Sequence, residues 1–133
     1  MVAVLLAGLA LCCCEKPSSS ESFIRASDAE DGKYVFELAL TDSLSSYDIS
    51  ICSRLSEGKS RSLCLKVRWV SPDWESFCET VYTEPVGIKG NVELYRSGVE
   101  PCPPGNWKIE ITAVDAPESL CGIGLVCKRN GTR

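Results

Sequence analysis

Nine cysteines and not one histidine set the chemistry open to this 133-residue chain. Without an imidazole there is no Ser-His-Asp or Cys-His nucleophile, no His-ligated zinc and no histidine general base. Six thiols stand in the body of the chain, at Cys52, Cys64, Cys78, Cys102, Cys121 and Cys127. They lack the closely spaced pairs that a structural zinc site uses, which leaves disulfides or free cysteines packed in or beside a core. Carboxylates offer the next chemistry. Glu75 and Glu79 lie four apart in a segment that reads as a strand, about 13 Å, whereas a glycosidase pair stands roughly 5 to 9.5 Å apart, so that pair is set aside. Asp28, Glu30 and Asp31 lack the alternating ligands of a calcium loop, and Asp31-Gly32 has the make-up of a solvated turn. A Ser-Lys or carboxylate mechanism stays open in principle, but no set of residues points to one. We expect no enzyme, no metal and no cofactor.

The other three cysteines close the first apolar run, Leu11-Cys12-Cys13-Cys14, which passes at once into Glu15-Lys16-Pro17-Ser18-Ser19-Ser20. Residues 1–14 carry no charge and are too short to cross a bilayer, which takes about 20 apolar residues, so they read as the apolar core of an export signal. A leucine three residues before a cysteine resembles the lipobox of bacterial lipoproteins, in which a diacylglycerol is joined to the cysteine sulfur and the chain is cut just ahead of it. Cys14 fits best and Cys13 is the alternative, since Cys12 would set bulky Leu11 at the cut. The expected organisation is a signal over residues 1–13, a lipid-anchored flexible tether over 14–22 and one domain over 23–133. Eight disordered residues would hold that domain about 15 Å from the lipid. The expected location is the bacterial cell envelope, with the membrane as first partner through the anchor.

The elements that must position any site read as strands. Tyr34, Phe36, Leu38 and Leu40 alternate with Val35, Glu37 and Ala39, and the same period of two returns at Tyr47-Ile49-Ile51 and at Leu63-Leu65-Val67-Trp69. Folding the chain about Gly58 would set Tyr47 opposite Trp69 and Cys52 opposite Cys64, making those two thiols the leading candidates for a cross-strand bridge. A second hairpin turning at Ser71-Pro72-Asp73 would bring Cys78 to the same outer face as a competitor. Later strands are expected near 92–95, 107–114 and 123–127. Seven or eight short strands and no amphipathic helix predict an all-β antiparallel sandwich, immunoglobulin-like or jelly-roll-like. Acidic residues number 18 against 14 scattered basic ones, for a net charge of -4, which argues against a nucleic-acid partner.

Trp69 and Trp107 are in phase with apolar neighbours and read as core anchors. Trp74 follows a turn and is the candidate contact residue, for a glycan if it is exposed beside polar groups. Asp42-Ser43-Leu44 resembles the acceptor motif for O-glycosylation in exported Bacteroidetes-type proteins, with Ser43 as the acceptor; the same residues also make an ordinary polar turn. Asn130-Gly131-Thr132 matches a sequon near the end of the chain. Gly122 and Gly124 leave one face of the last strand bare, either for close packing or for an interface.

Tyr95-Arg96-Ser97-Gly98-Val99, Pro104-Gly105-Asn106-Trp107-Lys108-Ile109-Glu110-Ile111 and Gly122-Ile123-Gly124-Leu125 together resemble the closing section of GldH-type gliding-motility lipoproteins. Tyr47-Asp48-Ile49-Ser50-Ile51 and Glu79-Thr80-Val81-Tyr82 are similar as well, so the resemblance covers about residues 30 to 128. It implies a membrane-anchored β-sandwich in an envelope assembly, with no catalytic residues to carry over and an envelope protein as partner. The cysteine richness departs from that family's pattern. The function expected from the whole sequence is a non-enzymatic envelope lipoprotein, with a glycan-binding accessory lipoprotein as the alternative.

Overall fold

Alternation becomes architecture in the computed structural model, which describes residues 19–56, 62–84 and 91–132. Eight strands form: β1 (Ser19–Arg25), β2 (Lys33–Leu40), β3 (Ser45–Leu55), β4 (Leu63–Val70), β5 (Ser76–Thr83), β6 (Asn91–Val99), β7 (Gly105–Val114) and β8 (Leu120–Thr132). They make two four-stranded antiparallel sheets, ordered β1-β8-β3-β6 and β2-β7-β4-β5. The protein is an all-β sandwich. A chain folded in half at the β4–β5 turn pairs β4 with β5, β3 with β6, β2 with β7 and β1 with β8, and rolling that long hairpin up adds the β3–β8 and β4–β7 ladders. This is the order of a jelly roll; an immunoglobulin domain splits its strands differently.

Inward-facing residues of β2, β3, β4, β7 and β8 supply the core, with Ile49, Leu65, Val67, Ile109, Ile111 and Ile123 wholly enclosed. Trp69 is buried among them and Trp107 packs against them, as their phase predicts. The Asp31-Gly32 turn is present too. Both residues take positive φ, and the Lys33 amide donates to the Glu30 carbonyl at 2.9 Å.

Three expectations need correction. Tyr47–Ile51 and Leu63–Trp69 do not pair: β3 lies between β8 and β6, while β4 lies in the other sheet between β7 and β5. Period two fixes which residues of a strand face inward and says nothing about which strand is the neighbour, and here the connection between the two crosses the sandwich. Cys52 and Cys64 therefore do not face each other. Each sits on the outer face of its own sheet, alternating with the buried residues, and both thiols are free. Stacked sheets stand about 10 Å apart, while bridged residues need Cα atoms within about 6.8 Å and side chains aimed at each other. Cys78 shares the outer face of β4 and β5 but stands opposite Arg68, whereas Cys64 stands opposite Tyr82. Third, β1 begins inside the expected tether, with Ser19–Ser22 laddered to Lys128–Leu125 of β8. A solvated edge strand needs only backbone partners, so its polar side chains gave no alternation to read.

The bare face of β8 is a packing cradle. A methyl at Gly122 would run into the Ile24 carbonyl oxygen and lie 2.7 Å from the Phe23 ring; at Gly124 it would lie 2.7 Å from the Ser22 oxygen. Phe23 and the backbone of β1 occupy the space that side chains would need.

Candidate interaction surface

Strands β5 and β6 are the last members of their sheets and lie side by side across one flank of the sandwich. No described strand pairs with their outer edges. Inward-facing Phe77 and Glu79 of β5 meet Tyr95 and Arg96 of β6 there. The Glu79 carboxylate accepts from Arg96 Nη2 at 2.6 and 2.7 Å and from Nε at 3.2 Å. Tyr95 donates its hydroxyl proton to Glu79 and accepts from Trp69 Nε1 at 2.8 Å. A polar chain thus runs from the core indole to a surface guanidinium and joins the two sheets at an edge that has no ladder of its own.

Electrostatics follow from that chain. Burial pushes the Glu79 carboxyl up, but the hydrogen bonds from Arg96 and Tyr95 outweigh it and hold the group below its ordinary value. Burial and the bond to Glu79 push the Tyr95 phenol up to about 12, which fixes it as a neutral donor. Trp69 stacks on Phe77 at 5.8 Å and meets Trp107 edge-on at 6.0 Å. These rings, with Leu40, Arg96 and Pro101, line a cleft of about 340 Å³ at the loop end of the flank.

The exposed apolar groups of these two edge strands lie mainly on the outer faces of the two opposite sheets. Tyr82 of β5 is 69% exposed, and Val92 and Leu94 of β6 are 63% and 62% exposed; Phe77 is half exposed. Four of the eight large exposed apolar side chains of the described residues belong to these two edge strands. On β6 the phase is the reverse of what apolarity suggests, because Asn91, Glu93 and Tyr95 point toward the sandwich and Val92 and Leu94 point out. Sequence reading missed the surface for that reason; the signal was Glu93 and Tyr95 sharing a phase with Asn91.

The sequence-derived sites fall elsewhere. Cys13 and Cys14 lie outside the described residues. Trp74 sits at φ +66° in the β4–β5 turn and is 82% exposed, flanked by Asp73 and Glu75. Ser71 holds that turn, its Oγ accepting from the Asp73 and Glu75 amides at 3.2 and 3.1 Å. Ser43 is exposed in a loop ordered by Asp42, whose carboxylate accepts from the Leu44 amide at 2.9 Å and the Ser45 hydroxyl at 2.7 Å. Asn130 is structural, donating to Asp48 Oδ1 at 3.1 Å beside the Gly98 amide, so that Asp48 ties β3 to both β6 and β8. Cys52 lines a second cleft with Glu21, Phe23 and Arg54. Burial and then the Glu21 charge push its thiol up, away from the thiolate a nucleophile needs. Comparison with protein-family models, curated proteins and solved structures finds no match for the chain.

Proposed function

We propose that this chain is a non-enzymatic lipoprotein of the bacterial envelope, anchored through Cys14 or Cys13, whose sandwich binds another envelope protein along the β5–β6 flank. One observation carries the binding part of the reading: the adjacent edge strands β5 and β6 have no described strand on their outer sides and carry exposed Phe77, Tyr82, Val92 and Leu94 beside those edges. Open edges offer a row of amides and carbonyls to an added strand, and alternate side chains beside them supply specificity. The absence of histidine from the sequence supports the non-enzymatic part, and the Leu11–Cys14 motif supports the anchor. The resemblance to GldH-type lipoproteins supports an envelope assembly of the gliding-motility type as the setting.

A photo-crosslinking residue at position 94 of the membrane-extracted protein tests the reading. A discrete adduct with one envelope protein, lost in the Val92→Lys/Tyr82→Lys variant while the fold persists, is the expected result. Labelling by lipid or water alone would sink it. A glycan-binding accessory lipoprotein is the second reading, supported by the exposure of Trp74 between two carboxylates. Saturable change in Trp74 emission with soluble oligosaccharide would favour it.

A further inference from the structure

We infer that the sandwich stands on the membrane by its loop end, with Trp74 and Leu44 seated among the headgroups of a zwitterionic bilayer; the inference rests on the lipid anchor proposed above. Strand register places the parts. Ser19 is opposite Lys128, and Lys128 is opposite Asp48, so β1 starts at the end of the molecule where β2 passes to β3, β4 turns into β5 and β6 passes to β7. From Cys14 to Ser19 there are five residue steps, at most about 18 Å of chain. The start of β3 at Ser45 already stands three residues beyond Asp48, about 10 Å along the strand. A lipid on Cys14 consequently clears the loop tips by only a few ångströms, and it brings this end against the surface.

The loop tips are built for that contact. Trp74, at 82%, is the most exposed large apolar side chain of the described residues, and Leu44, at 62%, projects from the neighbouring loop. Neither is on a loose segment. The Trp74 amide donates to the Ser71 carbonyl at 2.9 Å, the Ser71 amide donates to the Glu75 carbonyl at 2.8 Å, and Pro72 packs where a Gly105 side chain would be. A bulky residue at positive φ is uncommon, and here that conformation points an indole off the tip of a fixed turn. Tryptophan favours the bilayer interface, where its ring is apolar and its N–H finds headgroup oxygens. Asp42 at this end is paired with Arg129 at 3.7 Å, but Asp73 and Glu75 stand directly beside Trp74 at the tip, so an anionic surface would repel the tip and a zwitterionic one would not.

Test the full-length protein, extracted from membranes, in phosphatidylcholine vesicles with and without brominated acyl chains, after its intact mass has been measured. The Trp74 signal is the emission lost in Trp74→Phe, since Trp69 and Trp107 lie in or against the core. The expected result is a diacylglyceryl mass, loss of the Trp74 emission in brominated vesicles, and weaker quenching when half the lipid is phosphatidylglycerol. Leu44→Asp, which leaves the 71–75 turn untouched, should weaken the quenching too. A lipidated protein whose Trp74 emission ignores bromine overturns the orientation alone, as does emission that answers to oligosaccharide instead. A mass without diacylglycerol overturns the anchor, and the orientation with it.

Discussion

Glu79 is the residue on which the β5–β6 flank turns, because it alone receives both Arg96 and Tyr95. Its folded pKa lies below the ordinary 4.5, so its charged form favours the folded state. That contribution is whole above about pH 4.5 and is lost as the pH falls through the lower folded value. Replacing Glu79 with Gln should cost about 1 kcal/mol near pH 7, since the Arg96 side chain is 43% exposed and water screens the pair. The gap between wild type and Glu79→Gln should narrow as the pH falls below the ordinary carboxylate range and through the lowered folded value. Urea unfolding midpoints at a series of pH values measure it, and a gap that stays constant with pH would show that the carboxylate charge is not what Arg96 and Tyr95 hold. The thiols give the contrasting case. Burial lifts Cys127 to about 11, and its place in the core rather than any chemistry accounts for it.

Strand β1 shows how an element with almost no buried side chain is kept in place. Its residues are exposed apart from half-buried Ile24, yet it completes a sheet because β8 offers glycines where Phe23 and two carbonyls approach. Gly122→Ala should cost about 2 kcal/mol, as an overpacked site does, and should release β1 from the sheet. Hydrogen exchange at Phe23–Arg25 reads this directly; protection unchanged in the variant would mean that the cradle is loose enough to absorb a methyl. Much of the fold was legible at this scale: seven of the eight strands were expected, three of them from strict alternation, and the turns at Asp31-Gly32 and Ser71-Pro72-Asp73 follow from their Asp-Gly and Pro-Asp residues. Pairing was not legible, because Tyr47–Ile51 matches Leu63–Trp69 in period as well as it matches its true neighbours, and nothing in β3 or β4 records that the chain crosses the sandwich between them. The flank was hidden for a related reason. Val92 and Leu94 look like core residues until Tyr95, bonded to Trp69, is seen to claim the inward phase.

At the scale of the whole molecule, the rolled hairpin makes nearly every ladder a long-range one. Only β4 and β5 are joined by a short turn within one sheet, while β3–β6, β2–β7 and β1–β8 close progressively longer loops around them. Loop-closure entropy is lowest at the centre, so the β4–β5 hairpin should form first and the outer pairs should add to it. Ser71 is the lever, because its hydroxyl accepts from two amides inside that turn. Ser71→Ala should cost about 1 kcal/mol and take most of it from the folding rate, about a fivefold slowing. Gly122→Ala acts on the last pair to close, and should raise the unfolding rate about thirtyfold while leaving folding nearly unchanged. Stopped-flow chevrons followed through buried Trp69 separate the two. If Ser71→Ala instead speeded unfolding and Gly122→Ala slowed folding, the roll would have to start from its ends, with β1 and β8 meeting before the hairpin that lies midway between them.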